Sequence, residues 1–99
     1  MQSTIQKENG VLTIAVQGRL DTVTSAELKA KLDEVGYDQV DIDFDFTQVE
    51  YISSAGLRLV IALQKQVLET GNRLVISNIN KVVAEVFKVS GFDKALHIV

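Results

Sequence analysis

The 99-residue sequence predicts an α/β domain: an opening antiparallel hairpin, then parallel strands joined through helices. Asn9-Gly10 separates two stretches of strand character, and Asn-Gly is a strong hairpin signal. Asp41-Ile42-Asp43-Phe44-Asp45-Phe46 alternates polar and apolar residues with period two, as a half-buried strand does. Three helical segments with start and stop signals are interleaved with the later strands. Such connections imply parallel pairs with right-handed crossovers.

The elements follow in order. Ser3 to Ile5 starts a short strand that Glu8-Asn9-Gly10 ends, and Val11 to Val16 alternates as the second, closed by Gly18. A loop through Asp21 leads to the first helix. Thr24 and Glu27 have capping-box spacing, and Val23 and Leu28 sit where a hydrophobic staple would place them. Leu28, Leu32 and Val35 share one helical face, and Gly36 is the expected stop. Val40 to Phe46 forms a strand with Ile42, Phe44 and Phe46 inward, which leaves Asp41, Asp43 and Asp45 on a face reachable by water. Leu57 to Leu68, rich in Leu, Val and Ile, is the central helix, and Thr70-Gly71-Asn72 stops it. Arg73 to Ser77 is a further strand. Asn80 caps a third helix with Val82, Val83, Val86 and Phe87 toward the core and Gly91 just past its end. A turn at Phe92 to Ala95 leads to a last strand, Leu96 to Val99.

Composition narrows the function. The length suits a single domain over residues 1–99, large enough to bury a core without metals or disulfides. With no cysteine, disulfides, thiolate zinc sites and cysteine nucleophiles are excluded, which fits a reducing cytoplasm. A net charge of -3 without a Lys/Arg cluster argues against nucleic acid as a partner. No apolar run reaches the length of a membrane span, so no direct membrane insertion is expected. Catalysis finds little support. Ile52 stands where a nucleophile elbow would need glycine, and the glycines form neither a Walker loop nor a dinucleotide fingerprint, so a small-ligand or nucleotide module ranks low. Asp41, Asp43 and Asp45 fail as a calcium loop, since Phe46 and Ile52 occupy its glycine and glutamate positions. His97, the only histidine, is expected to be a strand residue. The reading is of no enzyme, no metal and no cofactor.

Function concentrates in Val49-Glu50-Tyr51-Ile52-Ser53-Ser54-Ala55-Gly56-Leu57-Arg58, the passage into the central helix. Serine is a favoured N-cap, because its oxygen accepts a bond from a free amide of the first turn. The same turn, with unpaired N–H groups and the positive end of the helix dipole, suits a phosphate. Arg58, at i,i+4 from Ser54, could reach such a group. The plainer reading is that Ser53 and Ser54 only cap the helix, that Arg58 is solvated, and that Asp21 is a turn residue bonding its own backbone.

Asp45 to Leu57 resembles the signature of the STAS domain family, whose small members are bacterial anti-sigma factor antagonists. Gly18-Arg19-Leu20-Asp21 is similar to the family's Gly-x-Leu-Asp, and Val89-Ser90-Gly91-Phe92-Asp93-Lys94 to the stretch before its last strand. The resemblance spans nearly the whole chain. It implies a small mixed sheet with helices mainly on one face, and a further helix in many members after the last strand. It implies an unmodified protein that docks on an anti-sigma factor, often a serine kinase, and so releases the sigma factor. Ser54 matches the serine that the kinase phosphorylates and a serine phosphatase restores. The implied docking surface comprises Asp21, Tyr51, Ser53, Ser54, Ala55, Gly56 and Arg58. The sequence departs from the family where an aspartate usually precedes that serine: Ser53 stands there, a second possible acceptor, and Ala55 follows where Ser or Thr is common. The alternative is a non-switching STAS subunit or scaffold of a transporter or signalling complex.

Overall fold

A computed structural model describes residues 2–99. The chain runs β1 (Gln2–Glu8), β2 (Val11–Leu20), α1 (Thr22–Val35), β3 (Asp41–Asp45), β4 (Val49–Ile52), α2 (Ser54–Glu69), β5 (Leu74–Ser77), α3 (Lys81–Ser90), a 3-10 turn (Phe92–Lys94) and β6 (His97–Ile98). The six strands form one mixed sheet in the order β1-β2-β3-β5-β6, with β4 pairing β2. Only β1–β2 is antiparallel; β2–β3, β2–β4, β3–β5 and β5–β6 are parallel. The hairpin closes where expected, with Asn9 at φ 54° and Gly10 at φ 78°, the left-handed pair that a tight turn between twisted strands requires.

Sheet and helices share one core. Leu12, Ile14, Ile42, Phe44, Leu74 and Ile76 turn inward and are buried, while Thr13 and Asp43 face water on the opposite side. Leu28 and Leu32 of α1 and Val60, Leu63 and Val67 of α2 close the inner face. Phe46 links this core to α3. Its ring lies 4.8 Å from Phe44 edge-on and 6.1 Å from Phe87 between centroids, within the range where aromatic pairs attract beyond simple burial. α3 packs on β4 and on the 3-10 turn, so it sits at one end of the sheet.

Several expectations change. β1 and β2 are longer than the alternation shows, and β2 continues past Gly18 to Leu20. Gly18 does not end the strand; β2 leaves β3 after Ala15 and pairs β4 from Gly18 on, and Gly18, at φ 97°, stands at a register shift within that second ladder. β4 itself has no counterpart among the expected elements. α1 begins at Thr22 and is capped by Asp21 in a box with Thr24, not by Thr24 with Glu27. Val23 is 66% exposed, so no staple forms with Leu28, and Val35 is also exposed. α2 starts at Ser54, one turn before Leu57. On α3, Val83 and Phe87 are buried, Val86 is half-buried, and Val82 is exposed rather than in the core. β5 and β6 are a residue or two shorter than expected.

Candidate functional site

The site is built by two parallel strands that each turn directly into a helix. Past the shift at Gly18, Arg19 pairs with Tyr51 and Leu20 with Ile52. The next residue of each strand is a helix cap, Asp21 for α1 and Ser53 for α2. The Ser53 N–H donates to the Leu20 carbonyl at 2.9 Å, which closes the pair at its last rung. Two helix starts far apart in sequence are thereby set side by side, and Asp21 is brought next to Ser53.

Asp21 holds its end of α1 tightly. Its Oδ1 accepts from the Val23 and Thr24 N–H groups, both at 3.1 Å. Its own N–H donates to the Thr24 hydroxyl oxygen at 2.8 Å, and that hydroxyl donates to the Arg19 carbonyl at 2.7 Å. The hydrogen bond from the Thr24 backbone, foremost among several, holds the Asp21 carboxyl below the usual carboxylate range. A carboxyl whose folded-state pKa is depressed stabilises the fold above its ordinary pKa, and that contribution is lost as pH falls through the folded-state value. Asp21→Asn, which keeps a capping oxygen but no charge, is therefore expected to melt slightly below the parent at neutral pH and level with it in acid. Melting curves across pH 2 to 7 check this; equal differences at every pH would remove the charge from the account.

The two serines are not equivalent. Ser53 is half-buried at the N-cap, its Oγ accepting from the Gly56 N–H at a long 3.4 Å. Ser54 is the first residue of α2 and is exposed. Ala55 is half-buried. Gly56 is buried, and a Cβ there would lie 2.6 Å from the Leu20 carbonyl oxygen and 2.7 Å from Ile52 Cγ1. It allows the close approach of α2 to the strand ends. Arg58 is exposed, and the one ion pair among the described residues is Lys29–Asp33.

Tyr51 is half-buried, with the Arg19 guanidinium 4.6 Å above its ring centroid, a cation–π distance. On its other side it joins Leu57 in lining an apolar groove of about 650 Å³ between the start of α2 and α3, with Ser54 also in its lining. Across the groove stand Val82, Val86 and Val89, the first and last exposed. The sequence gives no functional role to Arg19 or Val89, and it places Val82 and Val86 in the core. The available signal was α3 itself: 82, 86 and 89 form one apolar stripe and 83 and 87 another, and a single helix buries only one fully.

The other charged candidates have local partners. Asp41 accepts from Asn72 Nδ2 and the Arg73 N–H, and Asp45 from the Thr47 N–H and Asn78 Nδ2. These bonds hold both carboxyls below their usual range, led by Asn72 for Asp41 and Thr47 for Asp45. They tie the ends of β3 to neighbouring loops. Among the described residues no three His, Asp or Glu side chains gather as a metal site, and no helix is long and apolar enough to cross a membrane. His97 is an exposed residue of β6.

The family model described as "Mlab, STAS domain" matches residues 3–99. A Bordetella bronchiseptica protein bearing the name of an anti-sigma factor antagonist, BtrV, is 34% identical over 93% of this chain and 80% of its own length. A Thermotoga maritima crystal structure, also under the name of an anti-sigma factor antagonist, superposes with a TM-score of 0.84 at 18% identity, covering 97% of this chain and 84% of that one. The Bacillus cell fate determinant SpoIIAA in its phosphorylated form superposes at 0.75 with 19% identity, covering 99% and 91%. At such identities the structural likeness is one of fold.

Proposed function

We propose, since this chain belongs to the STAS domain family, that it is an anti-sigma factor antagonist switched by phosphorylation of Ser54. Unmodified, it docks on an anti-sigma factor in the cytoplasm and releases the sigma factor. It acts by binding, without catalysis of its own. The docking surface runs from the Asp21 cap across Tyr51, Ser53 and Ser54 to Arg58. The partner is an anti-sigma factor with serine kinase activity, and a serine phosphatase resets the switch.

The observation that carries this reading is the division of labour at the start of α2. Ser53 is engaged as the cap, and Ser54 is exposed one residue later on the first turn. A phosphate on Ser54 would meet the free amides of that turn and the positive end of the dipole. It would bring nearly two negative charges to the middle of the surface, beside the Asp21 carboxylate. Arg58, one turn along α2, is placed to steady it. The named activity of the Bordetella relative supports the antagonist role, and the fold shared with phosphorylated SpoIIAA supports the switch.

Intact-mass measurement and peptide mapping of the protein from its native cells test the assignment. Phosphate on Ser54, abolished by Ser54→Ala, is the expected result. Phosphate on Ser53 would move the acceptor by one residue, and an unmodified protein in growing, starved and stressed cells would overturn the switch.

A further inference from the structure

From the two hydrogen bonds of its side chain we infer that Asn80 is a positioning residue for the docking surface: it ties β4, which carries Tyr51 and leads into Ser53, to the first turn of α3. The inference rests on the antagonist reading for what that surface binds. Among the described strands β4 pairs with β2 alone, so its other edge has no ladder to fix it. The Gly18 N–H of β2 takes the Gln48 carbonyl at 2.9 Å. Successive carbonyls of a strand point to opposite edges, so the next one, Val49, faces away from β2. Asn80 Nδ2 donates to it at 2.9 Å. At its other corner, Asn80 Oδ1 accepts from the Val83 N–H at 2.8 Å and caps α3. One side chain thus closes a free strand edge and a free helix end.

The residue type fits both tasks. As a helix cap alone, Asp or Ser would serve about as well. Asn is the one good cap whose side chain carries an acceptor and a separate amide donor at opposite corners. The bridge bears on the surface because β4 is only four residues long and is held on one side only. A displacement at Val49 is therefore carried through Tyr51 to the Ser53 cap. Tyr51 meets Arg19 across the β2–β4 ladder, and the Ser53 N–H closes that ladder on the Leu20 carbonyl at 2.9 Å. α3 is anchored independently, by Val83 and Phe87 in the core, so it supplies the fixed side of the bridge.

Asn80→Asp and Asn80→Ser both keep an oxygen that caps α3, and both remove the amide donor to Val49. Hydrogen exchange is followed at the Gly18 and Ser53 amides, which donate to Gln48 and Leu20 at the two ends of the β2–β4 ladder, and at the Phe87 amide of α3. Affinity for the anti-sigma factor is read by calorimetric titration well below the melting temperature. The expected result in both variants is about tenfold faster exchange at Gly18 and Ser53, Phe87 unchanged, and affinity lowered about tenfold. Unchanged exchange at Gly18 and Ser53, or Phe87 accelerated to the same extent, would reduce Asn80 to a helix cap and overturn the inference. Faster ladder exchange with unaltered affinity would overturn it too, by uncoupling β4 from the surface. A parent protein that binds no anti-sigma factor would sink the antagonist reading instead, and the exchange rates would still decide whether Asn80 holds β4.

Discussion

Ser54→Asp is expected to lower affinity for the anti-sigma factor about 100-fold, while Ser54→Ala binds within about twofold of the parent. The effect is electrostatic. The exposed Ser54 side chain contributes no hydrogen bond to the fold, so its removal costs little. A carboxylate at the same place puts one negative charge into a surface that must be desolvated on docking and that already carries the Asp21 carboxylate. Folding offers no competing explanation, because an acidic residue in the first turn complements the helix dipole. Calorimetric titration of the purified pair reads the affinities, and matched melting temperatures verify the fold. If Ser54→Asp binds as well as Ser54→Ala, the surface does not read charge at this residue, and a constitutive STAS subunit becomes the better description.

Gly56→Ala is expected to destabilise the protein by about 2 kcal/mol net, lowering the melting temperature by roughly 10 °C. Alanine is the better helix former by about 1 kcal/mol, so helix propensity alone predicts the opposite sign. Geometry overrides it. The added Cβ would sit 2.6 Å from the Leu20 carbonyl oxygen, a backbone atom that also accepts the Ser53 N–H. Relief requires moving α2 away from the strand ends or giving up that hydrogen bond. Either change also separates Asp21 from Ser53, so partner affinity should fall together with stability. Thermal melts and the same titration measure the two effects. A melting temperature at or above the parent's would show that α2 can retreat without penalty.

The candidate site was only partly legible in the sequence. Ser54, Asp21 and Arg58 could be singled out by residue type and resemblance, but their relation in space could not. It depends on β4, four residues long and too short to show a pattern. It depends equally on β2 exchanging β3 for β4 past Ala15 and on the shift at Gly18 within the new ladder. A glycine after an alternating run reads as a stop, and only the presence of a second partner strand turns it into a change of register. The Asp21 cap was obscured for a related reason: Thr24 is also a good capping residue, and the choice between them follows from where β2 ends.

The sequence by itself determined what neighbouring residues settle among themselves. The Asn9-Gly10 turn, the inward set Ile42, Phe44 and Phe46, the Asn80 cap and the Gly36 and Gly91 stops all follow from backbone preferences and short periodicities, which act within a few residues. Tertiary structure alone decided what depends on distant partners. It set Arg19 over Tyr51, made Gly56 the point of close approach between α2 and the strand ends, and left Val82 and Val89 facing water while Val83 and Phe87 entered the core. Each of these turns on which surface comes to lie opposite a residue, and that is fixed by long-range strand pairing and helix packing rather than by the residue's own neighbours.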